Sequence, residues 1–488
     1  MKTTSPKTKT LGLVITDGVG YRNFVLSRFP EQVPHSFDKI VVFSGLPASV
    51  YKGLNPTHFQ IVELPVYRER KHNWFLRKLK EIAHLKKHRK HAGIRDGLRF
   101  NYRSGWRPND VLVKTVYAIT SLFHSEAAIL FYESLQNRAF SRQQTVKTYG
   151  RLLDQHPVDL LFFTHQRPPF IAAVAAQAKQ RKIKTASFIF SWDNLSSKGR
   201  MATTFDQYLV WSDLMKEELL EFYPRTSPEA VFVVGTPQFE PYVMERYTLS
   251  RNRAGEIHSQ RESGALKEFL ERFSLDGNNK IICYSCADAS IGGNDVHVIS
   301  KLMEGVRRGH LGAVEVLVRT SPAEGEERFA KLKQEFPELK WNHPYWELSR
   351  EGHPEPWSQR IPTEEDLTNL RAVLTYSDIN VNMLSTMSLD FMIFEKPVVN
   401  TAFGNEENGL YNDQRFLEYA HYKRVLEYQA VRLAKNEQEL ITHLKTYLKD
   451  PKTDHEQREA LLKRQLGQPL EQISKKIVES LAQIVKRT

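Results

Sequence analysis

Short apolar runs alternate with amphipathic stretches along most of the chain. In the first half the runs fall at 11–16, 40–43, 61–64, 160–164, 185–190, 207–211 and 231–234. Helical periodicity separates many of them, most plainly over the alanine-rich stretch 170–180 and over 213–222. A near-continuous apolar run reads as a strand buried on both faces, and strands alternating with helices predict βαβ units and a parallel sheet. After Gly235-Thr236-Pro237 the pattern loosens into a polar stretch, 245–264. A second series follows: strand 280–286, a glycine loop, helix 296–308, strand 313–319, helices 326–336 and 364–372, strand 379–381, helix 387–394 and strand 397–400. The tail, 456–487, reads as helix throughout.

The predicted fold class is therefore α/β, with two Rossmann-like domains opening on a central cleft. The expected boundaries are 1–242 for the first domain, 243–265 for a linker, 266–455 for the second domain and 456–488 for a helical tail that crosses back to the first. In open parallel sheets the ligand lies beyond the carboxyl ends of the strands. Residues that follow strands are thus the first candidates for chemistry.

A chain of 488 residues exceeds one compact core, which agrees with two domains. With 41% hydrophobic and 26% charged residues it is an ordinary globular composition, and wholesale disorder is excluded. No apolar run approaches the roughly 20 residues needed to span a bilayer, and the N-terminal apolar stretch is too short for a signal-peptide core. The expected location is cytoplasmic. The two cysteines, Cys283 and Cys286, sit in one strand and point to opposite faces, which predicts two core thiols in a reducing compartment.

The net charge of +12 changes the picture, because it is concentrated. Between Arg68 and Arg107 fourteen Lys or Arg face three acidic residues, and the helical stretch 74–90 carries Phe75, Leu79 and Ile82 among its cations. Two readings stand: a basic amphipathic helix on an anionic membrane, or a solvated helix with an ordinary core-facing stripe. Nucleic acid is disfavoured, since no recognised nucleic-acid motif accompanies the charge.

Chemistry is densest in the segment running from Tyr376 to Asp390, followed by Lys396-Pro397-Val398-Val399. A short strand ends, Ser385-Thr386 opens a helix, and Asp390 lies about one turn further in. Hydroxyls and free amides at a helix start cradle phosphate, and a carboxylate one turn on accepts from ribose hydroxyls. Read alone, Ser385 is an N-cap. The loop after strand 280–286 offers Ser285, Gly292 and Gly293, where backbone can approach a ligand closely or simply turn. Arg319 ends a strand, either to brace a diphosphate or as a surface cation. For a base that deprotonates an acceptor hydroxyl the candidates are Asp193, Asp17 and His165, each of which can also serve as a local turn or strand-end residue.

The pattern strand, Asn-x-x-Ser-Thr-x-x-x-Asp, helix, Lys-Pro-Val-Val resembles the nucleotide-binding signature in the second domain of GT-B glycosyltransferases. It is similar especially to those that build bacterial surface polysaccharides and to CDP-glycerol glycerophosphotransferase-like proteins. Phe190-Ser191-Trp192-Asp193 occupies the place of the latter group's Trp-His-Gly motif, with Asp193 where they have a histidine, so glycerol phosphate is the less favoured substrate. Val233-Val234-Gly235-Thr236-Pro237 resembles the end of a GT-B first domain, and Arg319-Thr320-Ser321-Pro322 a phosphate loop.

The resemblance implies a transferase that moves a sugar from a nucleotide-sugar donor to a saccharide or lipid-linked acceptor, in surface polysaccharide synthesis. The first domain would take the acceptor and the second the donor, without a metal or other cofactor; no Asp-x-Asp triplet occurs. It also implies a peripheral contact with the inner face of an anionic membrane through 68–107. A nucleotide-sugar epimerase of the same fold, a glycerophosphotransferase, and a non-enzymatic protein that binds membrane or nucleic acid are the alternatives.

Overall fold

The computed structural model describes residues 9–249, 258–289, 291–322, 325–404 and 413–487. Seven strands come first: β1 (Thr10–Ile15), β2 (Lys39–Ser44), β3 (Phe59–Glu63), β4 (Leu160–Phe163), β5 (Lys184–Phe188), β6 (Gln207–Val210) and β7 (Val231–Val233). They form one sheet in the order β3-β2-β1-β4-β5-β6-β7. Then follow β8 (Lys280–Ser285), β9 (Val314–Arg319), β10 (Lys340–Asn342), β11 (Trp346–Leu348), β12 (Arg360–Pro362), β13 (Ile379–Asn382), β14 (Val398–Thr401) and β15 (Arg432–Ala434). Six of these form a second sheet, β10-β9-β8-β13-β14-β15, while β11 and β12 pair with each other. The strands of each large sheet run parallel, and the two sheets repeat one winding order.

Burial explains why these segments are strands. Residues 11–15, 40–44, 160–163 and 281–285 are buried without interruption, as a sheet covered on both faces requires. Register is helped by one device used four times. An aspartate just ahead of one strand accepts a backbone N–H at the start of its neighbour: Asp38 from Lys9 (2.7 Å), Asp159 from Thr10 (2.9 Å), Asp206 from Thr185 (2.9 Å) and Asp378 from Ile281 (2.9 Å). Each satisfies an amide that the parallel ladder leaves over.

The chain divides into two compact units. The first takes 1–240, 348–361 and 465–488; the second takes 241–347 and 362–464. Three points differ from the sequence reading. Residues 348–361, expected within the second domain, pack on the first unit. Arg350 pairs with Glu63 (2.6 Å), Gln359 Nε2 donates to the Gly45 carbonyl (3.3 Å), and the Arg360 carbonyl lies against Gly18 so closely that a Cβ there would stand 1.7 Å from it. The tail is two helices, His455–Leu466 and Ile473–Lys486, broken at Gly467, whose φ of +70° an L side chain rarely adopts. Only the second helix joins the first unit, where the Ser474 amide and hydroxyl donate to buried Glu240 (2.7 and 2.6 Å). Of the expected linker, 250–257 lie outside the described residues, and helix His258–Phe273 already occupies its end.

For the basic stretch the structure chooses between the two readings. Between β3 and β4 the first unit carries five helices: Lys71–Lys87, Ala92–Asn101, Pro108–Leu122, Glu126–Phe140 and Gln144–Gln155. In Lys71–Lys87 the stripe that reads as amphipathic faces inward, with Leu79, Ile82 and Leu85 buried. Even Lys80 is wholly buried; its ammonium donates to the Ala202 carbonyl and lies 3.7 Å from Glu133. The core-facing reading holds for this helix, so its stripe is not a membrane face.

His84 on the same helix is fully buried, packed between His88 (ring centroids 4.8 Å apart) and Tyr223 (5.3 Å), and neither of its ring nitrogens has a hydrogen-bond partner among the described residues. Burial holds the His84 imidazole well below its ordinary range and pushes His88 down to about 4. Both rings are therefore neutral in the fold, while the unfolded chain takes up protons as pH falls below 6.5. The sign is destabilisation by acid. The melting temperature is expected to fall steadily from about pH 6.5 toward pH 4, and His84→Leu, which removes two unsatisfied nitrogens, should raise stability at pH 5 by about 1–2 kcal/mol and flatten that slope. Thermal melts across this range check it.

Candidate functional site

Because β1 lies between β2 and β4, helices leave the sheet in opposite directions on either side of the β1–β4 split. Side chains that follow these two strands emerge there without a helix on top. Asp17 follows β1 and His165 follows β4, and the parallel register Val14–Phe163 brings them level. His165 Nδ1 lies 2.7 Å from Asp17 Oδ2, and the imidazole stacks on Phe190, which follows β5, with ring centroids 4.1 Å apart at 18°.

Asp17 also N-caps the helix Gly18–Val25. Its Oδ1 accepts from the Val19 and Gly20 amides (3.1 and 2.9 Å), and its Oδ2 from the Thr16 hydroxyl (2.7 Å). Burial by itself raises this carboxyl. The His165 ring beside it, with the hydrogen bonds from His165, Gly20 and Thr16, outweighs burial and holds the group below the usual carboxylate range. An ionised Asp17 thus fixes the proton of His165 on Nδ1. Nε2 has no hydrogen-bond partner among the described residues, in a ring that is largely buried. Asp193 is engaged locally: its Oδ1 accepts from Ser191 (2.6 Å) and Asn194 (3.1 Å), and its Oδ2 from Ser197 (3.2 Å), as in a residue closing a turn.

In the second unit the split lies between β8 and β13. The register sets Asn382, Ser285 and Arg319 side by side at the carboxyl ends of β13, β8 and β9. Beyond Asn382 the chain turns through Leu384, whose φ is +48°, into Ser385 and Thr386. The turn is held by a buried polar network. Asn382 Oδ1 accepts from the Ser385 amide (2.8 Å) and Asn400 Nδ2 (2.9 Å), Asn382 Nδ2 donates to Asn380 Oδ1 (2.5 Å), and Asn380 Nδ2 donates to Ser285 Oγ (2.9 Å). Tyr422 closes it by donating to Asn400 Oδ1 (2.7 Å). Partly exposed Ser385 and Thr386 are thereby presented at the sheet edge by fully buried neighbours.

The helix behind them, Met387–Ile393, is only seven residues long, and the amides of Ser385, Met387 and Ser388 already have acceptors. Hydroxyls rather than a helix dipole are what this turn offers a ligand. Asp390 is buried, and the Tyr242 hydroxyl donates to its Oδ1. Arg319 is buried as well: it pairs with Asp366 (2.9 Å) and donates to Asn342. A phosphate at this edge would meet a guanidinium already committed to a carboxylate.

The glycine loop after β8 is organised by Asp295. The Asp295 carboxylate accepts from the Ala287 amide (3.0 Å), Tyr284 hydroxyl (2.9 Å) and Arg328 (3.1 Å); burial pushes its pKa up to about 7 against the pull of Arg328. Gly292 is buried against this carboxylate, and Gly293 is exposed. Cys283 and Cys286 are free buried thiols, and burial pushes Cys283 up to about 11. Among the described residues no group of three or more His, Cys, Asp or Glu could hold a metal ion, and no helix is long and apolar enough to cross a membrane.

Tyr242, Asp366, Asn380 and Asn400 escaped the sequence reading. Each acts through a partner distant in the chain, and only Asn380 and Asn400 carry a signal, as polar residues inside apolar strands.

No family model matches the chain, and no curated protein matches it in sequence. Solved structures do match in shape. A glycosyltransferase from Rickettsia africae aligns over 99% of this chain and 100% of its own, at 11% identity and a TM-score of 0.52. A protein described as a putative UDP-N-acetylglucosamine 2-epimerase from Listeria monocytogenes aligns over 99% and 98%, at 10% identity and a TM-score of 0.53. A further UDP-N-acetylglucosamine 2-epimerase does so over the same shares, at 12% and 0.52. Likeness at such identities is a likeness of fold: with two parallel sheets of one winding order, the chain has the GT-B fold of two Rossmann-like units that the pattern around Ser385 implied.

Proposed function

We propose that the protein is a glycosyltransferase that moves a sugar from a nucleotide-sugar donor to a hydroxyl of a saccharide or lipid-linked acceptor. The observation that carries this reading is the Asp17–His165 pair at the split of the first sheet. His165 Nε2 takes the proton of the acceptor hydroxyl while that oxygen bonds to the anomeric carbon. The carbon–oxygen bond to the nucleoside diphosphate breaks in the same displacement, and the diphosphate leaves with the electron pair. Asp17 stabilises the imidazolium so formed without taking its proton, which calls for a carboxylate held ionised, as Asp17 is. Of the three candidate bases, His165 is thus the base, Asp17 its positioning partner, and Asp193 a turn residue.

The second unit takes the donor. Its partly exposed Ser385 and Thr386 follow β13 on the network of Asn380, Asn382 and Asn400, and Ser285, which accepts from Asn380, ends the neighbouring strand β8. A nucleotide-sugar epimerase is the second reading, favoured by the two fold neighbours that are described as such. An epimerase needs no acceptor, so a changed sugar recovered from donor and protein alone would favour it over transfer.

Two predictions follow from these roles. In a thermal-shift screen of UDP-, GDP-, CDP- and CMP-sugars at saturating concentration, one donor class should raise the melting temperature. Ser385→Ala with Thr386→Ala should lose most of that rise, read against the variant's own ligand-free melting temperature, which the lost Ser385 Oγ–Met387 amide bond (3.3 Å) lowers modestly. A rise undiminished in this variant would remove the turn from the site. With that donor, His165→Ala should lower the rate of nucleoside diphosphate release about 10²–10⁴-fold and Asp17→Asn by a smaller factor, both with unchanged donor affinity. Full activity of His165→Ala would refute the assignment of the base.

A further inference from the structure

We propose that a cavity of about 420 Å³ at the amino ends of β13 and β14 binds a small molecule carrying a phosphate or diphosphate group, apart from the edge that takes the donor. Two turns form it. One is 394–397, between the helix Met387–Ile393 and β14, and the other is 450–455, where the helix His455–Leu466 begins. β13 runs from this cavity toward the turn of Ser385: Asp378, on the cavity wall, and Asn382 stand about 13 Å apart, at roughly 3.3 Å per residue.

The charges that line the cavity are unevenly matched. Lys396 is half-buried and Lys452 exposed, and neither ammonium has a hydrogen-bond or ion-pair partner among the described residues. The His455 ring on the same wall is likewise without one. Asp378, by contrast, is committed: its Oδ1 accepts from Lys280 (2.8 Å) and its Oδ2 from the Ile281 amide (2.9 Å). Glu395 is exposed to solvent. Burial holds the Lys396 ammonium below its ordinary range against the pull of Asp378. Where this chain buries other lysines it supplies a paired carboxylate, Glu133 for Lys80 and Glu126 for Lys87. Lys396 lacks that match, and an anion in the cavity would provide it.

Both turns are held by the protein itself. Glu395 takes the left-handed conformation (φ +60°), and the Glu395 and Lys396 amides donate to the Met392 and Phe391 carbonyls (2.9 and 3.0 Å). This closes the helix and fixes where Lys396 leaves it. In the other turn, buried Arg458 donates to the Thr453 and Pro451 carbonyls (2.7 and 3.0 Å), while Asp450 accepts from the Lys452 amide (3.1 Å) and the Thr453 hydroxyl (3.0 Å). A guanidinium thus stands behind the turn that carries Lys452 and adds to its positive potential. Lysines rooted in rigid turns lose less freedom when they close on an anion.

The chemistry of the wall selects the ligand. Two unpaired ammoniums match the multiple charge of a phosphate better than the single charge of a carboxylate. Phe394, Pro397 and Pro451 give the cavity an apolar side for the carbon part of an organic phosphate, and its volume is that of a small-molecule site. Nucleic acid fits less well, since a strand is held by a row of cations along a groove.

The test uses the full chain, without donor or acceptor, and so stands apart from the transfer reaction. Titration calorimetry is run with ribose 5-phosphate, inorganic diphosphate and ribose. The two phosphates should bind and ribose should not; binding of diphosphate alone would name the inorganic anion as the occupant. Lys396→Met with Lys452→Gln should weaken the binding at least about tenfold, the worth of roughly one hydrogen bond from a cation to a phosphate. Lys452→Glu, at an exposed side chain, should weaken it as well, so a folding defect at position 396 would not hide the result. Ser385→Ala with Thr386→Ala should leave it unchanged. Absence of binding by both phosphates, or undiminished binding by both lysine variants, overturns the proposal. So does binding that Ser385→Ala with Thr386→Ala abolishes and the lysine variants keep, which would assign the anion to the donor edge alone.

Discussion

Parallel strands buried on both faces impose a single constraint from which the rest of this molecule follows. Covered above and below by helices, such a sheet presents side chains to a ligand only beyond the ends of its strands, and most freely where the winding reverses. The chain meets that constraint twice, between β1 and β4 and between β8 and β13, with the same strand order each time. In the first unit the reversal brings a carboxylate and an imidazole into contact. In the second it gathers hydroxyls and amides. One geometry thus yields an acid–base pair in one place and a neutral polar edge in the other.

The neutral edge has a cost that its neighbours meet. Asn380, Asn382 and Asn400 are wholly buried in the middle of an apolar sheet, where an unsatisfied amide would be expensive. They are tolerated because each finds partners in the others, in Ser285, in Ser388 and in Tyr422. A network satisfied in this way is rigid, and it holds Leu384 in a left-handed conformation that an isolated turn would leave. Arg319 follows the same rule: buried, it is matched by Asp366, whose other oxygen accepts from the Trp346 indole (2.9 Å).

Much of this fold was legible because buried parallel strands write themselves as uninterrupted apolar runs. All seven strands of the first sheet stand within a residue or two of the predicted segments, and so do β8, β9, β13 and β14. The segments that went unread are short or half-exposed: β10, β15, and the hairpin strands β11 and β12, at three residues each, are too brief for any periodicity to emerge. Residues after strands were legible as candidates, but their roles were not. The spacing of Asp17, His165 and Asp193 along the chain is silent on which two of them touch; strand order decides that. The basic stretch left two readings open for a related reason. Its charges alone do not say which of them are buried: Lys80 is matched by the Ala202 carbonyl and Glu133, both far away in sequence.

The path of the chain through the first unit has a consequence for its birth. Glu240 is buried, and the amide and hydroxyl that satisfy it belong to Ser474, on a helix whose Ile477, Leu481 and Ile484 fill the same unit. Domains commonly fold one after another as they emerge from the ribosome. Here the N-terminal half must wait, with an apolar flank uncovered, until the helix Ile473–Lys486 has been made, and the second unit is synthesised before the first is complete.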